Sequence, residues 1–378
     1  MMDKKTFCSF PFDSIFLGAD GKVKTCCTAR DELGDLNTQT IEEIVNGDRA
    51  KEIRRGIVTG KWDMKNCSQC AQLEGVGAHT ERLGALYKFE EMKHLTEEDF
   101  ILQQIDLRWS NTCNLACNYC YEYFSSIWAK ILNKYMDPLK DSTDLLSYIE
   151  KNKDTISNIN LLGGEPLLQK ENHKLFDIVD NETKGYILTN LSVPLKTNKI
   201  AQKIINEFPN VSWGISFENI GPRFEYVRHR AEWNVLMENL EYLVERVREV
   251  NIHPMYNMYT AFNLMEFYDA IDGKGINDIY WCAILNPSHF SVFDLPKEMR
   301  TAAKQEINRV LEKHRDKYTA VARLEEYRTD LSHDKPTLDH SFFKYTQELE
   351  TKFHPDKKYS FEELWPELTA ELKKHKLK

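Results

Sequence analysis

The sequence predicts an α/β fold built on a parallel sheet, and three observations carry that prediction. Short apolar runs of strand character alternate with helix-length amphipathic segments along the chain. Between Gln104 and about Pro287 the alternation repeats six times, short of the eight units that close a full barrel. The 378 residues are 42% hydrophobic and 29% charged, a balance that buries a substantial core in one large domain or two and excludes disordered and collagen-like chains.

The elements follow in order from the N-terminus. Cys8 precedes an apolar stretch from Phe10 to Leu17, a Gly18-Ala19-Asp20-Gly21 turn and a short strand Lys22-Val23-Lys24, which reads as a β-hairpin with thiols at both ends because Cys26-Cys27 follow. A helical segment from Thr40 to Arg55 leads to Cys67-Ser68-Gln69-Cys70. The strand-like run Gln104 to Trp109 runs into Cys113-Asn114-Leu115-Ala116-Cys117-Asn118-Tyr119-Cys120. Ile159 to Leu162 reads as a buried strand ending in Gly163-Gly164-Glu165-Pro166. Two adjacent glycines, in a chain holding only 16, point to backbone that approaches something closely or takes a positive φ, and Pro166 suits the first position of a helix.

Further strand and helix pairs complete the alternation. Lys184 to Asn190 precedes helical periodicity from Leu195 to Phe208, and Val211 to Glu218 precedes the amphipathic stretch Ala231 to Val250. Ile252 to Tyr259, a helix near Leu264 to Ile271, and Asp278 to Leu285 close the series. Leu295 to Lys378 is charged, rich in helix formers and broken near Pro336, Pro355 and Pro366, so it reads as several helices covering the open side of the sheet. Lys373-Lys374-His375-Lys376 reads as a solvated tail.

Charge narrows the function classes. Fifty Lys and Arg against 59 Asp and Glu give a net charge of −9, which supplies no global attraction for nucleic-acid phosphates. No run approaches the ~18 apolar residues of a membrane span, and Met1 to Lys5 leads into a mixed segment, so no membrane partner and a cytoplasmic location are expected. In a reducing compartment nine cysteines, an odd count, point to metal or redox chemistry.

Eight of the nine cysteines lie in the first third of the chain. Cys113, Cys117 and Cys120 can converge on one metal centre from a single loop, but a closed zinc site wants four ligands. A recruited histidine or a cluster with one iron left open both remain. Cys8, Cys26 or Cys27, Cys67 and Cys70 would complete a second centre, for which zinc and iron–sulfur are equally acceptable on spacing. Cys282, near the sixth strand, is expected to be a buried, inert thiol, with a hydrogen-atom donor or cluster ligand as the alternative.

The C-x-x-x-C-x-x-C loop after a first strand, with Tyr119 before its last cysteine, and the Gly163-Gly164-Glu165-Pro166 turn after a second strand together resemble the radical S-adenosylmethionine (SAM) superfamily. The resemblance implies a partial (β/α)6, TIM-like radical SAM barrel. In it Cys113, Cys117 and Cys120 hold a 4Fe–4S cluster whose fourth iron binds SAM. It implies that Gly163, Gly164 and Glu165 meet the SAM amino group, that Ser216 and Glu218 hold its ribose, and that Asn190 faces the cofactor. His253, Tyr256, Asn257 and Tyr259 on the fifth strand are candidates for lining a substrate cavity, the alternative being an ordinary half-exposed strand. The N-terminal cysteines, with the spacing from Gly21 to Cys26 and the later C-x-x-C, resemble the twitch or SPASM module, which carries auxiliary 4Fe–4S clusters. With five cysteines available, the one-cluster twitch form is the better match, although the module usually follows the barrel. The implied organisation is a twitch-like module at 1–100, a radical SAM barrel at 101–290 and a helical C-terminal extension at 291–378.

The resemblance further implies function. A ferredoxin or flavodoxin reduces the cluster, SAM is cleaved to a 5′-deoxyadenosyl radical, and an auxiliary cluster with four thiolates relays electrons from an oxidised peptide or protein substrate. A small sugar, aminocyclitol or nucleotide is the alternative substrate. An iron–sulfur electron carrier or a zinc-stabilised binding protein is the non-enzymatic alternative.

Overall fold

The structure, a computed structural model, describes residues 2–75, 79–318, 321–333 and 341–375, so the breaks expected at Pro336 and the tail residue Lys376 lie outside the described residues. In chain order the strands are β1 (Ser14–Leu17), β2 (Lys22–Lys24), β3 (Gly34–Asp35), β4 (Gln104–Leu107), β5 (Ala116–Cys117), β6 (Asn158–Leu161) and β7 (Lys184–Thr189). They continue with β8 (Val211–Ile215), β9 (Arg228–His229), β10 (Val250–Ile252), β11 (Met255–Tyr256), β12 (Asp278–Ile279) and β13 (Cys282–Ala283). The chain falls into two compact units. One comprises Met1–Thr112, Tyr135–Ile187 and Lys199–Val211, the other Cys113–Lys134, Leu188–Asn198 and Ser212–Lys378.

In the first unit β7, β6, β4 and β1 are parallel neighbours, and β2 and β3 extend the sheet antiparallel from β1. All four residues of β1 are buried, as expected for a strand covered on both faces. The cysteine-rich segment therefore contributes a strand to the barrel sheet, with Ser14 in register with Gln104 and Leu17 with Leu107. A buried ion pair anchors that junction: Lys88 Nζ lies 2.5 Å from Asp13 Oδ2 and donates also to Gln103 at 2.9 Å, while Gln104 Nε2 donates to Asp13. Burial pushes the Asp13 carboxyl above its ordinary range, against the pull of Lys88.

Two predicted elements divide. The apolar stretch 10–17 is not one hairpin arm, because Phe10–Asp13 forms a helical turn started by Pro11 and only Ser14–Leu17 is strand. The helix expected from Thr40 to Arg55 is two, Ile41–Val45 and Asp48–Val58, interrupted at Asn46 and Gly47. Thr40 and Glu43 form a capping box at the first.

In the second unit β8, β10 and β12 run parallel, β11 pairs with β13 in parallel, and β5 pairs antiparallel with β9. The fifth strand breaks between β10 and β11 at His253-Pro254, where Pro254 has no N–H to donate. The C-terminal part is helical over Lys297–His314, Val321–Asp330, Phe342–Glu348, a π-turn Leu349–Phe353, Phe361–Leu364 and Pro366–Lys374. Pro366 starts the last helix at its first turn. Among the described residues no helix is long and apolar enough to cross a membrane.

Candidate functional site

The three-cysteine loop is held from several sides within the second unit. β5 pairs with β9 so that Ala116 faces His229 and Cys117 faces Arg228. The Cys117–Cys120 turn is closed by the Cys120 N–H donating to the Cys117 carbonyl at 2.9 Å, which also accepts from Trp128 Nε1 at 2.9 Å. Ser126 Oγ accepts from the Cys113 N–H at 3.2 Å, and Ser125 Oγ donates to the Leu115 carbonyl at 2.8 Å. Burial raises the Cys117 thiol pKa, with Arg228 opposing. Burial raises Cys120 as well, and the neighbouring Cys117 and Cys113 add to the rise.

Tyr119, Glu218 and Arg228 form a buried cluster beside this loop. The Tyr119 hydroxyl donates to Glu218 Oε1 at 2.8 Å, and Arg228 Nη2 lies 2.7 Å from Glu218 Oε2. The Arg228 guanidinium stands 5.7 Å from the Tyr119 ring centroid, and its Nη1 lies 3.9 Å from Cys117 Sγ. Asn190 Nδ2 donates to Asn114 Oδ1 at 2.9 Å and lies 3.8 Å from Cys113 Sγ. Ser216 stands one residue beyond β8, where its N–H donates to the Thr189 carbonyl at 2.9 Å. Tyr119, Asn190 and Glu218 are thus gathered at the cysteine loop, and each carboxylate oxygen of Glu218 already has a partner in the protein.

The glycine turn belongs to the first unit. Gly163 has φ +112°, and a Cβ on Gly164 would lie 2.2 Å from the Thr112 carbonyl oxygen. Glu165 donates its N–H to the same oxygen at 2.7 Å. The Glu165 carboxylate is completely buried and accepts from the Leu167 N–H at 3.1 Å. The turn therefore rests on Thr112, the residue that precedes Cys113 in the chain.

Four N-terminal thiols share one cavity. Cys8, Cys26, Cys67 and Cys70 line it together with Ile53, Ile57, Trp62 and Thr28. Thr28 Oγ1 lies 3.3 Å from Cys26 Sγ and 3.8 Å from Cys70 Sγ. Burial pushes the Cys67 thiol up to about 12, with Cys26 the next contribution, and burial followed by Cys26 raises Cys8. Cys27 is exposed and is not among the lining residues, so Cys26 is the member of the pair that joins the other three.

Other expectations are corrected. Cys282 is exposed, not buried, because alternation along the strand turns Trp281 inward and the next residue out. Tyr256 and Tyr259 are buried in aromatic packing: Tyr256 stacks on Tyr327 at 5.0 Å, and Tyr259 lies 4.9 Å from Phe342 and 5.6 Å from Trp365. Asn257 is buried, with its Oδ1 accepting from the Tyr259 N–H at 2.8 Å. His253 packs against Tyr280 at 5.1 Å, and burial lowers its pKa to about 4.

The donor sets fit iron–sulfur clusters. Four thiols around one cavity can saturate a cluster, and three thiols on one loop leave an iron for another ligand. Binding would ionise thiols that burial otherwise keeps protonated. Among the described residues no group of three or more His, Cys, Asp and Glu side chains is arranged to hold a single metal ion.

The radical SAM superfamily model matches residues 107–271, and the SPASM iron–sulfur cluster-binding domain model matches residues 8–71. No curated protein matches the chain. Among solved structures, SuiB of Streptococcus suis bound to S-adenosylmethionine is 16% identical, covering 72% of this chain and 60% of that one, with a TM-score of 0.44. Native anSMEcpe with bound AdoMet is 17% identical, covering 57% of this chain and 62% of that one, with a TM-score of 0.45. TYW1 with a lysine–pyruvate adduct is 13% identical, covering 57% and 72%, with a TM-score of 0.35. The chain spans 60% and 62% of the first two proteins. The matched segments place an α/β partial-barrel fold of the radical SAM type at 107–271 and, ahead of it, a SPASM region at 8–71. These domains imply 4Fe–4S clusters and SAM as cofactors, and the radical SAM domain indicates an enzyme.

Proposed function

We propose that the protein cleaves SAM reductively and oxidatively modifies a peptide or protein, with one auxiliary 4Fe–4S cluster taking up the substrate's electron. The four thiols around one cavity are the observation that carries this reading, since a cluster with four protein ligands has no vacant iron for substrate and is left to relay electrons. The choice of a peptide over a sugar, aminocyclitol or nucleotide rests on the resemblance to peptide-maturing enzymes with auxiliary modules. When bound, the loop cluster and SAM supply a radical able to take hydrogen from an unactivated C–H bond.

The chain's own residues bind, orient and exclude water. Cys113, Cys117 and Cys120 hold the catalytic cluster, and Cys8, Cys26, Cys67 and Cys70 hold the auxiliary one. Gly163 and Gly164 bring the backbone close enough for Glu165 to meet the SAM ammonium, a charge-assisted pairing. Asn190 and Ser216 face the cofactor. Glu218, which the ribose reading also places there, orients Tyr119 and Arg228 through the bonds described above. The working segments are the one-cluster twitch-like module at 1–100, the barrel at 101–290 and the helical extension at 291–378, served in the cytoplasm by a ferredoxin or flavodoxin.

Anaerobic reconstitution tests the reading. About eight irons per chain are expected for two 4Fe–4S clusters, with 5′-deoxyadenosine formation abolished in Cys117→Ala and a peptide product lacking a pair of hydrogens. Zinc without iron after anaerobic purification overturns it.

A further inference from the structure

Residues 342–354 belong to none of the motifs and lie past residue 271, where the radical SAM match ends. They nevertheless pack on the cysteine loop. Leu349 forms one apolar cluster with Ala116 and Trp128, and Cys120, Tyr345 and Phe353 pack against it. The Trp128 ring, whose Nε1 already donates to the Cys117 carbonyl, lies 5.6 Å from Phe353 and 4.9 Å from His354. His354 stacks at 4.1 Å on His229, the register partner of Ala116. The Tyr345 hydroxyl donates to the Asn118 carbonyl, in the middle of the Cys117–Cys120 turn.

We infer that residues 342–354 form the outer wall of the cysteine loop and that Tyr345 is a positioning residue for the loop cluster. This rests on the function proposed above. The turn that spaces Cys117 from Cys120 carries the Cys117, Asn118 and Tyr119 carbonyls, and the first two have donors on either side of it. The Cys117 carbonyl accepts from Cys120 and Trp128, inside the loop region. The Asn118 carbonyl accepts from Tyr345, 227 residues away in sequence. Without that donor the carbonyl turns toward water, the Asn118–Tyr119 peptide is free to rotate, and the two thiolates lose their fixed spacing. The apolar contacts of Leu349 and Phe353 keep water from the same surface.

The test uses the reconstituted full chain and its Tyr345→Phe variant, which keeps the ring and removes only the hydroxyl. The expected result is that the SAM-responsive iron–sulfur EPR signal decays roughly five- to tenfold faster in air, the ratio set by loss of one net hydrogen bond. Its midpoint potential shifts as well, while the auxiliary signal decays at the parental rate. Trp128→Phe, which removes the donor to the neighbouring carbonyl, is expected to act in the same direction. A Tyr345→Phe protein with parental decay and potential overturns this inference alone. A parent without any SAM-responsive signal overturns the proposed function as well.

Discussion

Gly164→Ala is a small perturbation with a large expected effect. A Cβ at this position would lie 2.2 Å from the Thr112 carbonyl oxygen and 2.6 Å from its carbonyl carbon, whereas ordinary contact begins at 3.4 Å. The oxygen must therefore retreat by about 3.4 − 2.2 = 1.2 Å, and it is backbone, so no side-chain rotation relieves the clash. The retreat also strains the 2.7 Å bond from the Glu165 N–H to the same oxygen. Overpacking of this kind costs ~1–3 kcal/mol, enough to lower Tm by about 1–4 °C in a chain of 378 residues but not to unfold it. The functional cost is larger, because Thr112 precedes Cys113 and a displacement of ~1 Å in positioning groups costs about 100-fold in rate. The assay is 5′-deoxyadenosine formation under reducing, anaerobic conditions, with Gly75→Ala as control because nothing lies within 4 Å of its Cβ. Gly164→Ala is expected to retain auxiliary-cluster iron and lose about 100-fold in SAM cleavage. Parental cleavage in Gly164→Ala would refute the close approach and the role given to this turn.

Three further outcomes are expected. Arg228→Met leaves the buried Glu218 without its cation and costs about 3–5 kcal/mol in urea unfolding, and Arg228→Met with Glu218→Gln should cost less than the sum of the two; additivity would show that the pair is not coupled. Burial lowers the pKa of His229 to about 4, with Lys357 adding to the shift, and lowers that of His354 to about 3, with His229 adding. The unfolded chain then binds more protons below the ordinary histidine pKa, so the stability that the neutral pair contributes is complete above about 6.5 and is lost as pH falls toward 4. Unfolding measured across that window should flatten in His354→Gln, and an unchanged slope would sink the assignment. Cys26→Ala should remove about four of eight irons while Cys27→Ala keeps them all, and equal losses would mean that Cys27 also serves the auxiliary site.

Much of the architecture was legible because the periodic signals are local. The helix Leu264–Ile271 and the strand Lys22–Lys24 lie where the pattern places them. The fifth strand was overextended because Tyr256 and Tyr259 look like strand residues while Pro254 interrupts the ladder. Arg228 was invisible because its place opposite Cys117 depends on a two-residue antiparallel bridge, too short to leave any alternation in the sequence. Tyr345 and His354 were invisible for a different reason: their partners stand more than 100 residues away, and a charged helical segment gives no sign of which surface it will meet. That Cys26 and not Cys27 lines the cavity with the other three thiols is a matter of tertiary packing that two adjacent cysteines do not reveal in sequence.

The pairing of Ser14 with Gln104, 90 residues apart, bears on biogenesis. A nascent chain cannot complete this pairing until the second partner has left the ribosome, so the thiols at 8 and 26 wait in an immature setting through that interval. A fragment ending near residue 100 would keep β1 paired with β2 but leave its β4-facing edge open and apolar, a site of self-association, which makes expression of the whole polypeptide the sound route to cofactor loading.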